Sequence, residues 1–237
     1  MVINRVVCYK KGRKLVASII SLAFTFWMGG LKGQASISDP TDYQLWTELG
    51  LQSEVSKGWT MNLNWQGRWQ NNVQDYRGNY LSLGSSFKAN KHFKLLGEYR
   101  YSDASNRMNH RFTLGMGYEK KIIRGLKING RLLIQNRIQD FPGEDIPLES
   151  ALYYRFRVQM NYKFNQRLDG YASVEPILKV GGNFPVDNWR NVIGFKYDVA
   201  PLWQVTAFGM VRPDYGKATY NRLYFVTGLG CTYSIKR

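Results

Sequence analysis

The chain has 237 residues, 33 Lys and Arg against 17 Asp and Glu, a formal net charge of +16, and only two Cys and two His. Two cysteines leave no room for a disulfide framework, and no Cys/His run has zinc spacing. The positive charge raises nucleic-acid binding, but the bases fall mostly one per two residues, with no helix-turn-helix pattern, so no nucleic-acid partner is expected.

At the amino terminus, Arg5, Lys10, Lys11, Arg13 and Lys14 precede an apolar stretch from Leu15 to Leu31, followed by Gly33-Gln34-Ala35. A basic region, an apolar region and a small-x-small site predict a signal peptide over residues 1–35, cleaved after Ala35. The alternative is a retained anchor, for which the apolar stretch is slightly short. No cysteine follows the apolar region, which argues against a lipid-anchored protein. Removing the leader takes away Cys8 and six bases (Arg5, Lys10, Lys11, Arg13, Lys14, Lys32) but no acids, leaving 27 bases against 17 acids, or +10, and Cys231 alone as an inert strand residue.

The rest of the chain alternates with a period of two. A first weak run covers about Leu45 to Val55. In the second, Trp59, Met61, Leu63, Trp65, Gly67 and Trp69 share one face, while Thr60, Asn62, Asn64, Gln66, Arg68 and Gln70 share the other. After a weaker run from Asn79 to Ala89, Phe93, Leu95, Gly97, Tyr99 and Tyr101 alternate with Lys94, Leu96, Glu98 and Arg100. Phe112, Leu114, Met116 and Tyr118 alternate with Arg111, Thr113 and Glu119, and Leu126, Ile128, Leu132, Ile134 and Ile138 with Lys127, Asn129, Arg131, Gln135 and Arg137. The clearest run is Ala151 to Phe164. Leu152, Tyr154, Phe156, Val158, Met160, Tyr162 and Phe164 oppose Tyr153, Arg155, Arg157, Gln159, Asn161 and Lys163. Weaker runs follow at Leu168 to Val180, Arg190 to Val199, Trp203 to Arg212 and Arg222 to Ile235. Successive strand side chains point to opposite faces, so each run is a ribbon with one apolar and one polar side. At roughly ten to fourteen residues each, the ribbons are long enough to cross a bilayer when tilted.

Tight connections at Ser56-Lys57-Gly58, Asn90-Lys91-His92, Asn165-Gln166-Arg167 and Ala200-Pro201-Leu202 interleave with longer polar ones. The long set is Asn71 to Gly78, Ser102 to Asn109, Gln139 to Ser150, Gly181 to Asn188 and Pro213 to Tyr220, and Lys120 to Gly125 is intermediate. Short periplasmic turns and long outer loops mark outer-membrane barrels. The expected fold is all-β: an antiparallel up-and-down transmembrane β-barrel of about ten to twelve strands over residues 36–237. About eleven runs are visible, whereas single-chain bacterial barrels have even numbers, so twelve is favoured over ten. Ser36 to Gln44 would then be an unpatterned twelfth strand or would thread the lumen.

Aromatic placement favours lipid-facing over core-facing apolar sides. Trp59 and Trp69 lie ten residues apart on one face and fit the two interfacial girdles, with Tyr118, Tyr162, Trp203 and Tyr233 at the turn end and Tyr99 at the loop end. About fifty apolar side chains turned inward would overfill a small closed barrel.

The segments Leu45-Trp46-Thr47-Glu48-Leu49-Gly50-Leu51, Asn64-Trp65-Gln66-Gly67-Arg68-Trp69, Tyr154-Arg155-Phe156-Arg157 and Val174-Glu175-Pro176 resemble a family of small outer-membrane barrels of Gram-negative bacteria catalogued as a domain of unknown function. The resemblance covers most of the mature chain. It implies a barrel in the outer membrane and carries over no activity. Such barrels often end in an aromatic residue read by the barrel-assembly machinery; this chain ends Tyr233-Ser234-Ile235-Lys236-Arg237, so the signal falls to Tyr233 or Ile235.

The polar faces place Arg68, Arg100, Arg111, Arg131, Arg137, Arg155, Arg157 and Lys163 toward the lumen with Glu98, Glu119 and Glu175. Such a wall points to a narrow anion-preferring channel, or, if acids and tyrosines pair off the bases, to a plugged structural barrel. The enzyme alternative is an outer-membrane lipid hydrolase or acyltransferase, whose chemistry needs a His beside a Ser with an orienting acid. His110 with Ser102 or Ser105, and Asp103 as orienter, is the one candidate; His92 sits in a turn. Asp103, Glu144, Asp145, Asp187 and Asp214 are scattered without calcium-ligand spacing. No cofactor, metal site or catalytic group is expected, and membrane lipid is the expected surrounding. Pro176, in mid-strand, should break the hydrogen-bond ladder.

Overall fold

The computed structural model describes residues 41–104, 107–140, 148–181, 186–215 and 222–235. The expected signal peptide, residues 36–40, Ser105, Glu144 and Asp145 lie outside them.

Eleven strands form a closed barrel: β1 (Thr41–Ser56), β2 (Trp59–Gln70), β3 (Asp75–Lys88), β4 (Phe93–Ala104), β5 (Arg107–Ile123), β6 (Leu126–Asp140), β7 (Glu149–Lys163), β8 (Leu168–Lys179), β9 (Val186–Ala200), β10 (Trp203–Asp214) and β11 (Arg222–Ile235). Each pairs antiparallel with its sequence neighbours. The expectation of twelve strands is corrected here. With an odd number, up-and-down alternation leaves the first and last strands running the same way, so closure demands one parallel ladder. It runs between β1 and β11, from Thr41 opposite Leu223 to Ser53 opposite Ile235. Thr41 to Gln44, expected in a separate strand or a lumen segment, are the start of β1.

Both seam strands start at the loop end and finish at the turn end. There, tight turns hold Lys57-Gly58 and Arg124-Gly125, whose glycines take φ of 79° and 87°. At the loop end, Asn71, Asn72 and Val73 also have positive φ, a costly conformation for a β-branched residue. The connection is tied to β1: the Asn72 N–H donates to Asp42 Oδ1 (2.9 Å) and the Val73 N–H to the Tyr43 carbonyl (3.1 Å).

One expected loop is mostly strand. Ser102, Asp103 and Ala104 pair with Asn109, Met108 and Arg107, so the β4–β5 hairpin extends well past the expected boundary. The β7–β8 ladder is interrupted beside Pro176: Arg155 pairs with Ile177, the next pair is Val158 with Val174, and Phe156, Arg157, Glu175 and Pro176 are passed over. Proline has no N–H to give the ladder.

Large apolar residues cover the outside of every strand, Leu114 being 70% exposed and Val158 59%. Polar residues dominate the inside, where Glu175 is 1% exposed. This inverts a soluble protein, and a continuous apolar belt of that size needs a hydrocarbon surrounding.

Candidate functional site

Residues directly opposite in a ladder project to the same face, so the register can be followed around the cylinder. Lys127 pairs with Asn161, Asn161 with Tyr171, Tyr171 with Gly194, Gly194 with Phe208, Phe208 with Gly228, Gly228 with Trp46 and Trp46 with Arg68. This row, and the positions two residues away along each strand, form the inner surface.

The inner surface encloses a cavity of about 390 Å³ whose lining comes from β1 to β7 and β9. Its charged residues are Arg68, Lys94, Arg100, Arg111, Arg131, Arg155, Arg157 and Arg190 against Glu48 and Glu98. Adding Glu175, which is paired with Arg155 and Arg157, and Glu119, which is paired with Lys94, gives eight bases and four acids, an excess of four positive charges. A second cavity of about 400 Å³ is lined by Tyr171, Lys196, Gln204, Thr206, Phe208 and Thr232, and shares Glu48, Asn62, Asn64 and Arg131 with the first. The two are therefore neighbours in the lumen, sharing a wall of Glu48, Asn62, Asn64 and Arg131.

The bases concentrate on one wall. Arg100 stands opposite Arg111, Arg111 opposite Arg137, and Arg131 opposite Arg157. Like charges directly opposite are destabilising, and carboxylates offset only part of this. Glu98 accepts a hydrogen bond from Arg111 and lies 3.7 Å from Arg100 Nε. Glu175 Oε1 accepts from Arg155 Nη2 at 2.8 Å and Nε at 3.1 Å, and Oε2 from Arg157 Nη2 at 2.9 Å; Arg155 Nη1 also donates to Gln135 (2.9 Å). The broken ladder at Pro176 sits at this cluster. Among the described residues, Arg131 and Arg190 have no carboxylate within salt-bridge distance, and Arg131 is exposed. Arg137 lies 5.2 Å over the Tyr153 ring. Lys163 is exposed at the turn end opposite Asp169, and Glu119 lies between Lys127 (3.2 Å) and Lys94 (3.8 Å).

The facing wall holds groups that the alternation alone does not single out. Arg68 is stacked between two rings, 3.8 Å from the centroids of both Trp46 and Tyr80, and its Nε donates to Gln66 (2.7 Å). Trp46 also packs with Met210, Tyr224 and Val226, joined by Val192 and Phe208. This apolar cluster from β1, β9, β10 and β11 fills part of the lumen. The signal was in the phase: Trp46 shares the inner parity of Gln44 and Glu48, and Phe208 and Met210 that of Arg212.

On the outer surface the expected girdle residues make aromatic contacts. At the turn end, Trp59 Nε1 donates to Ser85 (2.8 Å), Tyr118 packs on Phe93 (5.1 Å), Tyr162 on Phe164 (5.1 Å) and Trp203 on Tyr233 (4.8 Å). Nearer the loop end, Trp69 meets Tyr76 edge-on (5.1 Å) and Tyr99 meets Phe112 (5.1 Å).

The His110–Ser102 pairing fails. His110 stands opposite Tyr101 and its Nδ1 is 2.8 Å from the Tyr99 hydroxyl, whereas Ser102 stands opposite Asn109 and is buried on the other face. Asp103 shares the face of His110, but a nucleophile at Ser102 would act through the sheet. Among the described residues, no three His, Cys, Asp or Glu side chains are placed to hold a metal.

A family model for a protein of unknown function, DUF2490, matches residues 43–223. The chain belongs to this family. Among solved structures it is similar to the NanC porin, with a TM-score of 0.50 and 11% identity, covering 72% of this chain and 84% of that one. It is also similar to the KdgM porin (TM-score 0.46, 14% identity, 72% and 89% covered) and to the translocator domain of the autotransporter NalP from Neisseria meningitidis (0.48, 14%, 72% and 72%). At this identity the NanC likeness shows the fold: a porin-like barrel of the outer-membrane type. No curated protein sequence matches the chain.

Proposed function

We propose that the protein is a narrow channel in the outer membrane of a Gram-negative bacterium that passes small anions in preference to cations. The observation that carries this reading is the incompletely compensated cationic wall: an excess of four positive charges around a cavity of about 390 Å³, with Arg131, which has no carboxylate partner among the described residues, on the wall that the two cavities share. Low-dielectric walls focus the field of such charges, drawing anions in and repelling cations. Guanidiniums suit this task because they stay charged and hold planar carboxylates or phosphates by paired N–H donors. In reconstituted liposomes, swelling should be fast in small organic anions and slow in organic cations of equal size; equal rates for both would remove the reading.

One observation favours a second reading, a closed structural barrel. The packing of Trp46, Met210, Tyr224 and Val226, with Phe208 and Val192 against them, narrows the lumen on the seam side. Folded protein that leaves liposomes impermeable to every solute would select it.

A further inference from the structure

Arginine gives way to lysine toward the turn end of the lumen, and the lysines come in like-charged opposed pairs. Lys88 stands opposite Lys94 across β3 and β4, and Lys121 opposite Lys127 across β5 and β6. All four project inward by register, and Lys94 lines the first cavity. Two like-charged pairs on neighbouring hairpins are each destabilising, and one carboxylate serves both. Glu119 Oε1 lies 3.2 Å from Lys127 Nζ and its Oε2 3.8 Å from Lys94 Nζ, so those two ammonium groups share a single carboxylate. Among the described residues, Lys88 and Lys121 have no carboxylate within salt-bridge distance and both are exposed to water.

We infer that the turn-side mouth is a binding site for a soluble, multiply charged anion carrying tandem phosphate groups. Lysine binds phosphate as a compact point charge on a flexible stem. Four ammonium groups in two pairs, with one carboxylate among them, leave about three charges for a ligand to neutralise. A monovalent anion meets only one or two of these. A short chain of phosphates can touch both pairs and relieve both repulsions at once. The inward register turns the site away from the lipid, so the source is a soluble anion rather than a phospholipid headgroup. The site extends the lumen reading but does not need conduction.

The test is calorimetric titration of the refolded protein in neutral detergent at low salt, with tripolyphosphate as ligand. Tripolyphosphate should bind much more tightly than acetate or chloride. Lys121→Gln with Lys127→Gln should weaken it by about tenfold or more, as expected for losing two charge contacts. Arg167→Gln with Lys179→Gln, two exposed bases at opposite ends of β8 and outside the β3–β6 arc, should change it less than about twofold. Glu119→Gln should tighten it, an increase that misfolding cannot produce. Equal weakening by both double substitutions would reduce the effect to net charge and overturn the site, as would unchanged binding in the Lys121/Lys127 variant or displacement by micelles of an anionic phospholipid. A barrel that binds tripolyphosphate in this pattern yet passes no anion would keep the site and remove the channel.

Discussion

Arg131 on β6 stands directly opposite Arg157 on β7, and of the two only Arg157 has a carboxylate, Glu175 at 2.9 Å. The asymmetry leaves one guanidinium committed to structure and the other turned into the water where the cavities meet. In the proposed channel, Arg131 is therefore the strongest single determinant of which ions pass. Arg131→Glu should lower small-anion flux into liposomes by roughly tenfold, the low end of what focused charge does to ion encounter rates. A neutral Arg131→Gln should fall between.

Glu175 holds two guanidiniums and is 1% exposed. Removing one partner of a buried pair leaves the remaining charge uncompensated, at about 3–5 kcal/mol. Glu175→Ala should therefore be among the most destabilising changes in the barrel, read as a lowered urea midpoint in vesicles. Replacing Arg155, Arg157 and Glu175 together with apolar residues of similar volume should recover most of the loss.

Gly228 on β11 is covered by Phe208 on β10, and a Cβ there would lie 2.0 Å from the ring. Gly228→Ala should cost about 1–3 kcal/mol through overpacking. Phe208→Ala should relieve that cost, so a double-mutant cycle on unfolding midpoints should show strong positive coupling. Additive effects would mean the ring lies elsewhere.

Trp46 is both a wall of the Arg68 stack and a member of the apolar cluster. Trp46→Ala should destabilise by about 3–5 kcal/mol, as for large aromatic truncations, and should admit larger anions than the native barrel in a liposome swelling series. A less stable barrel with an unchanged size limit would place the constriction at another level.

The architecture was legible wherever each strand face meets a single environment. In β7 lipid and water alternate residue by residue from Leu152 to Lys163, and the written order shows it directly. The alternation fades where both faces are wet, which is why Ser102 to Asn109 reads as a loop while the hairpin continues past the membrane. The same misreading produced the pairing of His110 with Ser102: a loop can bring Ser102 to any side, but a strand sends it opposite Asn109. The eleven runs were visible, and only the general rule of even strand numbers turned the expectation to twelve. Local alternation says nothing about which edges meet, and the parallel β1–β11 ladder that closes an odd-numbered barrel is a long-range event. Trp46 and Met210 escaped notice because an apolar residue on a polar face looks like noise until its partners from three other strands converge on it.

The central claim is that the arginine-bearing wall faces an open aqueous path. The most direct measurement is the reversal potential of single-channel currents from the purified protein in a planar bilayer under a potassium chloride gradient. Discrete steps reversing on the chloride side of zero, and moving toward the potassium side in Arg131→Glu, are the predicted result. Steps reversing on the potassium side, or native steps that Arg131→Glu leaves unmoved, would contradict it.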